Sequence, residues 1–158
     1  MRIHRFAARV LLVAALAAAS LVSIGAPASA VTTSPDAMTT YSARVVVLVN
    51  RQRAAVRLPA LRGSACATSF AKSWSTRMAA TRVFKHQLLT PLLTTCRARQ
   101  AGENIAYGGR TPEQVIAMWM ASPGHRANIL RPSFTHIGVG AAVGRDGVIY
   151  ATQDFLTL

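Results

Sequence analysis

Cysteine is scarce, with two residues in 158, which excludes a small scaffold held together by many disulfides. Acid is scarce too: five Asp and Glu stand against 18 Lys and Arg. Aromatic residues make up 6% of the chain, and no dense basic run is interleaved with them, so a nucleic-acid stripe is not expected. No G-x-S-x-G elbow, H-E-x-x-H, Walker A loop, G-x-G-x-x-G or C-x-x-C occurs. The common serine-hydrolase, zinc-protease, nucleotide, dinucleotide and redox chemistries therefore have no motif to stand on. Disorder is excluded by the 51% hydrophobic content, and the length allows one domain.

The longest apolar run lies at the start. Arg2, Arg5 and Arg9 precede an apolar stretch from Val10 to Ile24, and Ala28-Ser29-Ala30 forms a small-x-small site. This reads as a secretory signal peptide over residues 1–30, cleaved near Ala30. The stretch is about 15 residues, short of the roughly 20 that span a bilayer, so no transmembrane segment is expected in the mature chain. The expected localisation is secreted and extracellular. Removing residues 1–30 leaves fifteen basic and five acidic residues, a net of +10. Such a charge gives a solvated basic surface, or attraction to anionic envelope polymers or lipid head groups. For an exported chain, Cys66 and Cys96 read as one disulfide worth roughly 3–4 kcal/mol, with two free thiols as the alternative.

Residues 31–40 read as a flexible lead and 41–158 as the folded domain. A helix is expected from Ser42, with Val45, Leu48, Val49, Gln52 and Val56 on one stripe and Pro59 beyond its end. A second begins near Ser64, with Ala67, Phe70, Ala71, Trp74 and Met78 at helical spacing. Residues 83–99 lack a clean period and read mostly as loop, with room for one helical turn. Gly102–Tyr107 reads as a short strand. Thr111-Pro112-Glu113-Gln114 combines an N-cap, a proline at N1 and a capping-box glutamine, and Val115, Met118 and Trp119 form the buried face of the helix that follows. Ser122-Pro123 repeats the cap-and-proline signal for a short helix through Leu130. Ile137–Val143 and Val148–Phe155, joined by Gly144-Arg145-Asp146-Gly147, read as a hairpin. Trp74 and Trp119 read as core, and His136 as exposed or packed beside a strand. The fold class is α+β.

Three neighbourhoods stand out in order: Phe84-Lys85-His86, Gly102-Glu103-Asn104-Ile105-Ala106, and Ser122-Pro123-Gly124-His125-Arg126-Ala127-Asn128-Ile129-Leu130, followed by Gln153-Asp154-Phe155. Together they resemble the CAP superfamily of cysteine-rich secretory, antigen 5 and pathogenesis-related proteins, in its bacterial SCP-like extracellular branch. The resemblance runs from about Tyr41 to Phe155. It implies an α-β-α sandwich, a small antiparallel sheet flanked by helices, with a cleft where two histidines and two acids converge. His86, Glu103 and His125 match the first histidine, first acid and second histidine, whereas the second acid falls on Ser122.

Two imidazoles and a carboxylate suffice to hold a divalent metal such as Zn²⁺ with an open position for water. His86, Glu103 and His125 are thus the candidate metal ligands and the catalytic candidates, with Ser122 and Asn128 as further cleft residues. Ser122 also reads as a helix cap, and Asn104 and Asn128 as structural hydrogen-bonders. At the third position of its helix, His125 is expected to stay neutral. Three functions remain: a secreted binding module for a small or lipid-like ligand, leaning non-catalytic; a metal-dependent hydrolase; and an envelope-associated structural protein retained by charge.

Overall fold

The structure, a computed structural model, describes residues 35–158. The signal peptide read over residues 1–30, with its cleavage near Ala30, lies outside the described residues. Helix α1 spans Pro35–Ala55, so residues 35–40 belong to a helix and not to a flexible lead. The apolar stripe explains the extra turn. It runs back from Val49 and Val45 to Tyr41 and Met38, which pack on the same core, and the Tyr41 hydroxyl donates to the Gly109 carbonyl at 2.7 Å.

After α1 come β1 (Arg62–Gly63), α2 (Ala65–Thr81), α3 (Leu89–Thr95) and β2 (Gln100–Tyr107). Helices α4 (Pro112–Ala121) and α5 (Pro123–Ile129) follow, then the hairpin of β3 (His136–Val143) and β4 (Ile149–Thr157). The sheet order is β1-β3-β4-β2. Strand β4 is central and antiparallel to both neighbours, while the two-residue β1 runs parallel to β3. The expected antiparallel sheet is therefore present, with a short parallel edge added. At the hairpin turn, Gly147 takes φ 73° and the Val148 N–H donates to the Asp146 carboxylate at 3.1 Å.

Alternation along the strands sorts the two faces. Ile137, Val139, Ile149, Ala151 and Phe155 meet Val45, Val49, Val115, Ile116 and Trp119 of α1 and α4. The opposite face carries Tyr150, Thr152, Asp154 and Leu156, and receives α2 and α3. This makes the α-β-α sandwich. Helix α2 sits close because β3 offers it glycines. A Cβ on Gly138 would lie 2.2 Å from the Ala67 backbone, and one on Gly140 would lie 2.3 Å from the Lys72 nitrogen. Ala67 and Ala71 complete this small-on-small contact, and Ser75 donates to the Gly140 carbonyl at 2.9 Å.

The starts of α2 and α4 follow the capping chemistry, whereas those of α3 and α5 carry no side-chain cap bond. Ser64 accepts from Ala67 N–H at 3.2 Å and Thr111 from Gln114 N–H at 3.2 Å. Ser122 occupies the N-cap of α5, but its side chain makes no capping bond. The segment read as loop contains α3, where Pro91 is tolerated in the first turn and Leu92 plugs a small core with Ala67 and Leu156. Cys96, at its end, is bonded to Cys66 with the Cα atoms 5.8 Å apart, which settles the choice between disulfide and free thiols.

Two buried faces differ from the periodic reading. Ile116 rather than Met118 is buried on α4. Near the end of α1 Arg53 is buried along with Val45 and Val49, while Val56 lies just past the helix and is exposed. The Arg53 guanidinium donates to the carbonyls of Pro59 (2.9 Å), Ile129 (3.0 Å), Arg131 (2.9 Å) and Phe134 (3.4 Å). Among the described residues it has no acidic partner, and burial pulls its pKa down. It ties the end of α1 to the segment that leads from α5 into β3.

Candidate functional site

The site begins with a cross-strand pair. Glu103 on β2 and Asp154 on β4 are directly opposed in the ladder, on the face covered by α2. Both are buried, so two of the five acids of the chain share one desolvated position. The segment after α2 supplies the polar partners. His86 Nδ1 meets Glu103 Oε1 at 2.6 Å. Gln87 donates its backbone N–H to the same oxygen at 3.1 Å and its amide to Oε2 at 2.8 Å. That amide also reaches both Asp154 oxygens at 3.0 Å. One glutamine therefore holds both carboxylates.

Burial dominates the electrostatics. It pushes the Glu103 carboxyl up, against the opposing bonds from His86 and Gln87. Asp154 has fewer compensating bonds, and burial together with the facing Glu103 charge pushes it up to about 8. At neutral pH Asp154 therefore keeps its proton for the most part. His125 is shifted down by burial and then by the His86 charge, which favours its neutral form.

His86 is the outward part of the assembly. Its side chain is 58% exposed, against 2% for Glu103. With Nδ1 engaged by Glu103, Nε2 is the ring nitrogen left for a partner. Beside it lies a groove of about 600 Å³ lined by Phe70, Ser73, Trp74, Arg77, Lys85, His86, Gln87, Leu88 and Pro91. Trp74 is half-buried: one part packs on the core cluster of Met78, Ala79, Ile105 and Tyr150, and it also forms a wall of the groove. Its indole N–H donates to the Lys85 carbonyl at 2.9 Å, pinning the loop that carries His86.

The five residues read as site candidates separate into different roles. His86 and Glu103 are brought together. His125 lies near enough to feel the His86 charge, but among the described residues no three His, Cys, Asp or Glu side chains converge as a metal-ligand set. Asn128 donates to the Glu103 carbonyl at 3.1 Å and to Asn104 at 3.0 Å, and Asn104 passes the chain on to Gln153 at 2.9 Å. That ladder clamps β2 from the α5 side. Neither Asn128 nor Ser122 lines the groove with His86.

Gln87 and Asp154 were missed by reading residue types along the chain. A signal for Asp154 was available: a lone acid inside a strand expected to be buried, in a chain with five acids, needs a buried polar partner. Gln87 carries no comparable mark.

Residues 46–155 match the sequence model of the cysteine-rich secretory protein family, CAP. The chain belongs to the CAP family. The YkwD protein of Bacillus subtilis is 38% identical over 132 residues, covering 79% of this chain and 50% of that protein. An extracellular SCP-domain protein from Bacillus anthracis is 28% identical with a TM-score of 0.69, over 79% of this chain and 44% of that one. A cysteine-rich secretory protein from Staphylococcus aureus shares the fold at 21% identity and a TM-score of 0.65, over 79% and 40%. This CAP chain thus spans half or less of the length of these relatives.

Proposed function

We propose that this CAP domain is an exported binding module whose groove beside His86 takes a small amphipathic ligand, without turning it over. The groove carries the reading. Its volume of about 600 Å³ suits a small molecule. Phe70, Trp74, Leu88 and Pro91 offer an apolar wall, while Arg77, Lys85 and His86 Nε2 offer donors for an anionic head. Export is supported by the leader read over residues 1–30 and by the extracellular SCP-domain relative.

Turnover is disfavoured by the state of Glu103. Its carboxylate is buried and accepts three bonds from His86 and Gln87, so it orients the imidazole and is not placed to activate water in the groove. The same bonds argue against the divalent-metal reading, because the donor set of His86, Glu103 and His125 does not converge. A hydrolase reading keeps one supporting observation, the imidazole oriented by a carboxylate, which is half of a nucleophile-activating arrangement.

Calorimetric titration with dodecanoate tests the proposal. One-to-one binding, abolished by Leu88→Asp and weakened about tenfold by His86→Gln, is expected. No binding, or binding indifferent to both substitutions, refutes it. Hydrolysis of p-nitrophenyl acetate that is lost in His86→Gln would replace it with the hydrolase reading.

A further inference from the structure

We propose that the rim formed by the segment between α2 and α3 and the end of β2 docks on an anionic lipid bilayer. The proposal rests on the display of this rim and does not require the groove to be filled. Among the described residues, eight large hydrophobic side chains are exposed, and four of them are Val83, Phe84, Leu88 and Tyr107. Leu88 is 82% exposed, an unusual setting for a leucine without a partner.

These side chains are held out and cannot readily collapse. The Phe84 and Tyr107 rings are 6.2 Å apart, and Tyr107 stands edge-on to Tyr150 at 5.0 Å. Tyr150 is buried and donates to Asp146 at 3.1 Å, so the ring cluster is backed by the sheet. The backbone is fixed at two further points, by Trp74 on the Lys85 carbonyl and by Gln87 on the acid pair. Helix α2 ends at Arg82 in the left-handed region at φ 58°, with its N–H on the Met78 carbonyl at 2.8 Å. That turn directs the segment away from the helix axis.

Charge selects the partner. Arg82 and Lys85 lie on the same segment, Arg77 stacks over Trp74 at 5.5 Å, and Arg110 follows Tyr107 by three residues. Of the acids nearby, Glu103 and Asp154 are buried, while the charged Asp146 acts on Arg82. Arg77 and Lys85 make no ion pair among the described residues. Apolar tips interleaved with cations are poorly suited to a dry protein interface, which depletes charge at its centre. They suit the head-group region of a bilayer, where rings and aliphatic tips enter the acyl boundary and the cations meet phosphates. Leu88 and Lys85 also line the groove, so docking would bring its mouth to the lipid surface.

Sedimentation with vesicles tests this on Val31–Leu158, the unit that holds the whole core. Vesicles of equal phosphatidylglycerol and phosphatidylcholine are compared with phosphatidylcholine alone at physiological salt. The expected result is partition to the anionic vesicles only. It should weaken about tenfold in Phe84→Ser with Leu88→Ser, and about tenfold in Arg82→Gln with Lys85→Gln. Arg51→Gln with Arg126→Gln, the same charge loss on α1 and α5, should change it little. Circular dichroism checks that each variant is folded, as exposed positions predict. Equal losses in both charge pairs with none in the serine pair would reduce the effect to diffuse net charge and overturn the proposal. So would absence of partition, including the case where light scattering shows a dimer that the serine pair dissociates. Because dodecanoate binding is read without vesicles, failure here and failure of the groove reading are separable.

Discussion

Replacing Asp154 by Asn should stabilise the protein at neutral and alkaline pH and flatten its dependence on pH. Asp154 is fully buried, and its two oxygens share one donor, Gln87 Nε2. Burial, then the facing Glu103 charge, raises its carboxyl from 3.8 to about 8. Between those values the folded protein keeps a proton that the unfolded chain has released. Stability therefore falls as pH rises from about 4 to about 8, and levels beyond. At about 1.4 kcal/mol per unit, the full span is worth up to about 6 kcal/mol. Asn keeps the shape and an acceptor for Gln87, but its NH₂ adds donors that need acceptors. A net gain of about 2 kcal/mol at pH 8, falling to nothing near pH 4, is the expected outcome. Thermal unfolding followed by circular dichroism from pH 4.5 to 8.5 measures it. His125, depressed by burial, contributes a slope of opposite sign below about pH 6.5. Glu103, raised by burial, adds one of the same sign as Asp154. The difference between wild type and variant is dominated by Asp154, with a smaller part from Glu103, which loses its charged neighbour. Parallel curves with a constant offset would refute the reasoning, because they would mean that Asp154 does not titrate in this range.

Four further outcomes follow from packing and bonding. Arg53→Met leaves four carbonyls without their donor and should cost about 3 kcal/mol, a fall of about 10 °C in melting temperature; a fall under about 2 °C would show that water replaces the guanidinium easily. Gly140→Ala forces a Cβ to 2.3 Å from the Lys72 nitrogen and should cost about 2 kcal/mol or more in urea unfolding, while Gly63→Ala, facing open space, should cost little. Ser64→Ala should lose about 1 kcal/mol with its capping bond, whereas Ser122→Ala should lose under about 0.5 kcal/mol; equal losses would contradict the difference between the two caps. Replacing both Cys66 and Cys96 by Ser should cost about 3 kcal/mol, read by the same unfolding assay.

The local signals in the chain were largely sufficient for the elements. Thr111-Pro112 and Ser122-Pro123 start helices where cap and proline chemistry places them, and Gly144–Gly147 makes the turn. The failures share a cause. Gln52 and Val56 fit an apolar stripe better than Arg53 does, and only the four carbonyls that converge on Arg53 reverse that order. Met118 fits its stripe as well as Ile116, and the direction of α4 against the sheet chose between them. The segment before α3 has no period because Lys85 and Gln87 are held by Trp74, Glu103 and Asp154, which are distant in sequence.

By itself the sequence determined the family, the α+β order and the starts of α2, α4 and α5, because these rest on local chemistry and on motifs in a fixed order. Tertiary structure alone decided that Asp154 faces Glu103, that Gln87 bridges them, and that His125 stands apart from a ligand set. It also made a groove wall of Trp74 and left Leu88 in the open. Strand register and helix seating set those relations, and both depend on which residues meet across the sheet rather than on which residues are neighbours in the chain.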